Sequence, residues 1–307
     1  MPIDPRKVLR LNLPQWQGGD RSPYRIGARI LTALAPEAQG PEDAVPVPQA
    51  AAAERPLEHR ILSRVALRRQ ADAALAVIDR HAPDAIVTLD GDCHIDFAPI
   101  ACLSEKHGDD LAVLWVDAHP DIQGPAQTSS AHAHFVAMMM GEGDEVFSRL
   151  LRRPIEPRQV LYVGLTETSP FETGFIRDHN IGRLSPEDLA GSPEKVLEWS
   201  RNSGASKVAV HFDVVDPSLY GFLLFRCPDA APGTRDDVPR GRMTFGEVAR
   251  ILHAVDAEAD TVGLAITEFL PWDATLLSQS LSTPPLPGTE NKKLLCRLSI
   301  SIMGNER

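Results

Sequence analysis

Residues 114–135 read LWVDAHPDIQGPAQTSSAHAHF, an apolar segment that runs straight into Asp117, His119 and Asp121. On an extended or loosely turned chain, side chains at i, i+2 and i+4 project to one side and can point at a common centre. Carboxylates mixed with imidazole suit manganese, iron or zinc better than calcium, which prefers oxygen alone. A lone Asp-x-His would serve equally well as a cap with a solvated neighbour. A second acidic element changes that balance, because HFDVVDP at 211–217 also closes an apolar run. Carboxylates gathered at strand ends repel one another and bind protons more tightly unless a cation neutralises them. Two such elements converging point to a metal site.

The elements that must position these residues are short apolar runs: AIVTL at 85–89, LAVLWV at 111–116, VLYVGL at 160–165, KVAVHF at 207–212 and TVGLAI at 261–266. Each is nearly continuous, where a half-exposed antiparallel strand would alternate, and helical stretches such as SPEKVLEWSRNS separate some of them. The pattern predicts an α/β fold of three layers, α/β/α, with a mostly parallel central sheet. Ligand sites in such sheets lie at the carboxyl ends of the strands, and all five runs are followed there by a carboxylate: DGDCH, DAHPD, TETS, DVVDP and TEF. Residues 58–80 have the apolar spacing of an amphipathic helix, with Leu67, Ala71, Ala74, Leu75 and Ile78 on one face. Residues 36–57 are rich in Pro, Ala and acid and read as a surface loop, so 1–307 is expected to form a single domain, with 287–307 a tail whose periodicity decides nothing.

Bulk properties narrow the chemistry further. Acidic side chains outnumber basic ones 42 to 31, for a net charge of -11, which repels nucleic acid and anionic lipid. No run of about 18 apolar residues is present to span a bilayer, and the N-terminus lacks a secretory core, so a soluble cytoplasmic protein is expected. The four cysteines form no C-x-x-C pair, and no phosphate-binding glycine loop is found.

WVDAHPDIQGPAQTSSAHAHF resembles the signature of the ureohydrolases, the arginase and agmatinase family, and the likeness extends over about residues 85–275. DGDCH stands where the family has Gly-Gly-Asp-His, HFDVVDP where it has Asp-x-Asp-x-x-Asp-Pro, RMTF where it has a Thr, and ITEFLPWD where it has Glu-x-x-Pro. The N-terminal PQWQGGDRSPYRIGARIL and the Cys in the glycine motif look like a divergent bacterial-type branch. The resemblance implies an arginase-like fold, two manganese ions bridged by a hydroxide that attacks a guanidinium carbon to release urea, and a trimer or hexamer. It implies Asp117 and Asp213 as bridging ligands, His119 and Asp121 each completing one metal, His134 as a proton shuttle and Glu268 as the anchor for the guanidinium. Thr128, Ser130, His132, Glu167 and Thr244 fall at positions that contact substrate.

The departures from the family pattern concern the metals. Either Cys93 or His94 takes the usual histidine position, and a thiolate would favour zinc or iron over manganese. HFDVVDP is two residues short: if Asp213 bridges, Val215 occupies the second ligand position and only Asp216 could substitute, whereas counting back from Pro217 puts His211 first and Asp213 second. One metal would then be weakly held. The expected activity is hydrolysis of a linear C–N bond in a guanidino or amidino compound, for which a tail different from that of arginine is the better expectation. The alternative is a non-catalytic or single-metal member of the fold that binds or forms oligomers.

Overall fold

The computed structural model describes residues 3–48, 55–89, 91–228, 230–231 and 238–275. Eight strands form the main sheet: β1 Val8–Asn12, β2 Glu42–Ala44, β3 Ala85–Leu89, β4 Leu111–Asp117, β5 Val160–Val163, β6 Gly182–Leu184, β7 Lys207–Asp213 and β8 Asp260–Ile266. Their order is β2-β1-β3-β8-β7-β4-β5-β6, and every neighbouring pair is parallel. All seven residues of β4 are buried. Alternate residues of that strand serve opposite faces of the sheet. Leu111, Val113 and Trp115 join one core with Leu67, Ala74 and Leu103, while Ala112, Leu114 and Val116 join another with Val196, Val248 and Ile251. Two cores separated by one sheet are what a continuous apolar strand demands.

The helices covering these faces are α1 Tyr24–Leu34, α2 Arg64–His81, α3 Phe97–His107, α4 Pro170–Asp178, α5 Glu194–Ser203 and α6 Phe245–Asp256. α2 packs on α3 over the first core, and α5 on α6 over the second. The three-layer α/β/α architecture expected from the apolar runs is therefore the observed one, and each of the five runs is a strand. Leu67, Ala71, Ala74 and Ile78 are buried on α2, as their spacing required, although the helix begins later than 58 because residues 57–62 form a two-stranded hairpin.

The 36–57 segment is not only a surface connection. Glu42–Ala44 adds an edge strand beside β1, held further by Arg10 N donating to the Pro41 carbonyl and Val45 N to that of Asn12, both at 2.9 Å. The sequence hides it because a three-residue polar edge strand is set by its neighbour's backbone and carries no apolar run. The 287–307 tail lies outside the described residues.

Trp115 is the largest wholly buried side chain, stacked on Phe135 at 4.8 Å and on His211 at 3.6 Å between ring centroids. Trp115→Ala is expected to cost about 3–5 kcal/mol in denaturant unfolding, the usual loss for truncating a core aromatic. A loss under about 1 kcal/mol would mean that this stack does not anchor the centre of the sheet.

Candidate metal centre and catalytic cavity

The register of β4 against β7 places Asp117 directly opposite Asp213 at the carboxyl ends of both strands. Asp117 is fully buried, and its Oδ1 accepts a hydrogen bond from His119 N at 2.8 Å. The other oxygen, Oδ2, has no hydrogen-bond partner, nor has Oδ2 of buried Asp121. Buried carboxylate oxygens without a donor are costly, so each is an oxygen that a cation or a proton could satisfy. His119 Nε2 lies 2.9 Å from the Pro239 carbonyl, which can accept only if Nε2 carries the proton. Nδ1 lies 3.2 Å from Asp117 Oδ1: in the imidazolium it donates to that oxygen, and in the neutral ring it is the lone pair that could face a metal ion. One ligand atom each from Asp117, His119 and Asp213 lie within 4.8 Å of one another. This oxygen and nitrogen donor set fits a divalent ion such as manganese, iron or zinc.

The electrostatics agree with that geometry. Burial, then the charge of Asp117, pushes Asp213 up to about 7 and holds Asp121 well above the usual carboxylate range. Burial would lower His119, but the hydrogen bond to Asp117 and the charges of Asp117, Asp121 and Asp213 outweigh it and raise the imidazole to about 10. The cluster recruits protons where it could hold a metal ion.

Of the two candidates in the glycine motif, Cys93 faces the cavity and His94 does not. His94 is buried between Phe97 and Phe147, with ring centroids at 5.7 and 4.8 Å, and neither ring nitrogen has a partner. Burial lowers it to about 4. Burial and then the charges of Asp121, Asp117 and Asp213 push the Cys93 thiol up. The turn preceding it is built by Asp92, a residue with no ligand spacing of its own in the sequence. Its carboxylate accepts from Gln15 Nε2 at 3.0 Å, Gly19 N at 3.1 Å and His94 N at 3.1 Å, and so ties the N-terminal loop to the site. Gly91 opens the turn at φ 147°, where an added Cβ would press on the carbonyls of Leu13 and Gln15.

In HFDVVDP, Asp213 and Val215 both line the cavity, so the second ligand position is filled by an apolar side chain. Asp216 does not substitute: it is absent from the lining, and its Oδ1 accepts from Ser218 N at 2.7 Å to start the next turn. His211, fully buried, instead lies with Nδ1 2.7 Å from Asp96 Oδ2 and Nε2 3.5 Å from Asp117 Oδ2.

Above the carboxylates is a cavity of about 650 Å³. Glu268 enters it from the end of β8 at φ 59°, and Asp121 takes φ 48°. Left-handed backbone is uncommon for such residues and concentrates at functional sites. Glu268 Oε2 accepts from the Tyr24 hydroxyl, while Oε1 lies 3.3 Å from His132 Nδ1 and 3.6 Å from Cys93 Sγ. Burial pushes Glu268 up to about 8. Tyr24 carried no signal in the sequence, since one aromatic on an N-terminal helix reads as core.

Of the two loop histidines, His132 faces the cavity as its expected substrate contact requires, and His134 does not. His134 is buried with Nε2 3.0 Å from the Thr128 carbonyl and does not line the cavity, whereas His132 does. The 3-10 turn Ala131–His134 directs the two rings differently. Thr128 and Glu167 also line the cavity, but Ser130 and Thr244 do not. Ser130 N donates to Thr128 Oγ1 at 3.2 Å, and Thr244 caps α6 through reciprocal bonds with Glu247. Asp121, Glu167, Glu172, Asp213 and Glu268 make the lining acidic, and no Lys or Arg occurs among its described residues.

Residues 35–276 match the model of the Arginase family. An arginase of Staphylococcus aureus (strain MRSA252) is 29% identical over 140 residues, 43% of this chain and 46% of the relative, so the chain spans about half the length of the curated relatives it matches. Among solved structures, an arginase from Bacillus caldovelox superposes with a TM-score of 0.74 at 17% identity, covering 92% of this chain and 99% of that one. An Entamoeba histolytica arginase, solved with L-ornithine, gives 0.72 at 19% identity over 88% and 93%.

Thr244 was expected to touch substrate, and its capping role predicts a different outcome. Thr244→Ala is expected to cost about 1 kcal/mol in denaturant unfolding, the usual loss for removing a helix N-cap. A loss well under about 0.5 kcal/mol would mean that the cap does not hold the helix start.

Proposed function

The chain belongs to the arginase family, and from that premise we propose that it is an amidinohydrolase cleaving a linear C–N bond of a guanidino or amidino compound with release of urea. The observation that carries this reading is the convergence of Asp117, His119 and Asp213 beneath a cavity that also presents Glu268. Asp117, His119 and Asp213 would hold a divalent ion, manganese by family resemblance, with Asp121 beside them. When bound, such an ion lowers the pKa of water and offsets negative charge developing in the transition state.

The remaining roles fall to the chain's own side chains. Glu268 can accept two parallel N–H bonds from a guanidinium, and Tyr24 and His132 fix the orientation of its carboxylate. Burial, followed by the charge of His119, lowers His132 to about 4, so its imidazole is neutral at physiological pH. Because His132 lines the cavity beside Glu268 and His134 does not, the proton-handling part expected of His134 is assigned to His132 on position alone. The carboxylates of the lining suit a substrate whose tail is cationic or uncharged. The resemblance suggests a homo-oligomer, a trimer or hexamer, and the bulk sequence suggests the cytoplasm; no described helix is long and apolar enough to cross a membrane.

Val215 in a ligand position favours a second reading, a non-catalytic member of the fold that binds small guanidino molecules or forms oligomers. Urea release from a panel of guanidino compounds, with metal supplied, separates the two. Urea is expected from at least one substrate with a cationic or neutral tail. Glu268→Gln is expected to lower kcat/KM by about 100-fold or more, on the scale of losing one preorganised polar contact to the reacting group. His132→Ala should lower kcat more than His134→Ala. Metal-loaded protein that yields no urea from any compound would establish the second reading.

A further inference from the structure

A buried polar cluster lies one pleat below Asp213 on β7. There Cys93 Sγ, an Asp117 oxygen and a His211 nitrogen fall within 4.8 Å of one another, all three residues buried. We propose that this chain holds one thiophilic divalent ion, of the zinc, cobalt or ferrous class, on Cys93, Asp117 and His211, sharing Asp117 with the Asp117–His119–Asp213 position. The inference rests on the reading above in taking the strand-end rim as a metal site, and it does not require that urea be the product.

Three observations support it. His211 is oriented as a ligand: Nδ1 lies 2.7 Å from Asp96 Oδ2, which can hold a proton there, and Nε2 is left between Asp117 Oδ2 at 3.5 Å and a long contact of 3.4 Å to the Thr267 hydroxyl. The ring is also clamped flat on Trp115, 4° from parallel, so it cannot swing away. Asp117 Oδ2, 3.5 Å from Nε2, is a buried oxygen with no hydrogen-bond partner. Donor chemistry then separates the two positions. Sulfur with nitrogen and oxygen favours softer ions, while His119 with two carboxylates is the harder set and has Val215 where a further ligand would stand. The competing arrangement places a proton on His211 Nε2, making an Asp96–imidazolium–Asp117 ion pair in which Cys93 has no part.

The test is to strip the full-length protein with chelator, reload it with Co²⁺ and record its near-ultraviolet absorption. A sulfur-to-cobalt charge-transfer band saturating at one equivalent per chain is expected. Cys93→Ser should abolish the band with circular dichroism unchanged, and Asp96→Asn, which leaves the ligands in place, should weaken cobalt binding by about 10- to 100-fold. Cobalt binding without the band, a band that survives Cys93→Ser, or no binding at all would overturn the proposal. Urea release measured on the same samples keeps the questions apart: a band without urea overturns only the activity, and urea without a band overturns only the thiolate site.

Discussion

The site is governed by one constraint: parallel strands in register bring carboxylates together in a place with little water to separate them. Asp117 and Asp213 are paired across β4 and β7, and Asp121 follows within the same loop. Like charges this close cannot all remain ionised without a compensating cation. Protons on Asp121, Asp213, His119 and His211 are one way to balance the charge, and a divalent ion is the other. Much of the surrounding structure follows from holding that arrangement rigid. The Pro239 carbonyl fixes one face of His119, Asp96 and Trp115 fix His211, and Asp92 anchors the N-terminal loop that brings Tyr24 to Glu268.

Two of the left-handed residues of the chain belong to this site, while others such as Ser63, Ala82 and Asn180 lie away from it. Asp121 and Glu268, both lining the cavity, adopt left-handed φ, at a cost on the order of 1 kcal/mol each. Conformations of that kind persist where neighbours overdetermine them. For Glu268 those neighbours are the Gly91 carbonyl, which accepts its backbone N–H at 2.9 Å, and the polar contacts of its side chain. The two-residue shortening of HFDVVDP places Val215 against the cavity and leaves the harder donor set with fewer ligands than the family pattern provides.

The central sheet was legible because five of its strands are buried on both faces and therefore spell continuous apolar runs. β1 alternates in burial, and β2 and β6 are three-residue edge or near-edge strands, so neither periodicity nor composition exposes them. The site was legible to the extent that its ligands sit immediately after those runs. Asp117, His119, Asp121 and Asp213 could be read that way. The choice between Cys93 and His94 could not, because adjacent residues on a 3-10 turn point in different directions and only the aromatic pocket around His94 decides it. The difference between His132 and His134 has the same origin. Asp96, Tyr24 and the Pro239 carbonyl act from distant segments, and single-residue contacts of that kind leave no spacing to read.

The account stands on the rim of Asp117, Asp121 and Asp213 requiring a cation. Its most direct test is thermal unfolding of chelator-stripped protein against increasing concentrations of Mn²⁺ and Zn²⁺. If the native rim binds the ion and the unfolded chain does not, the midpoint rises with the logarithm of metal concentration, and Asp117→Asn removes the dependence. A midpoint that is the same with chelator as with either metal would contradict the account, since the rim would then be balanced by protons alone.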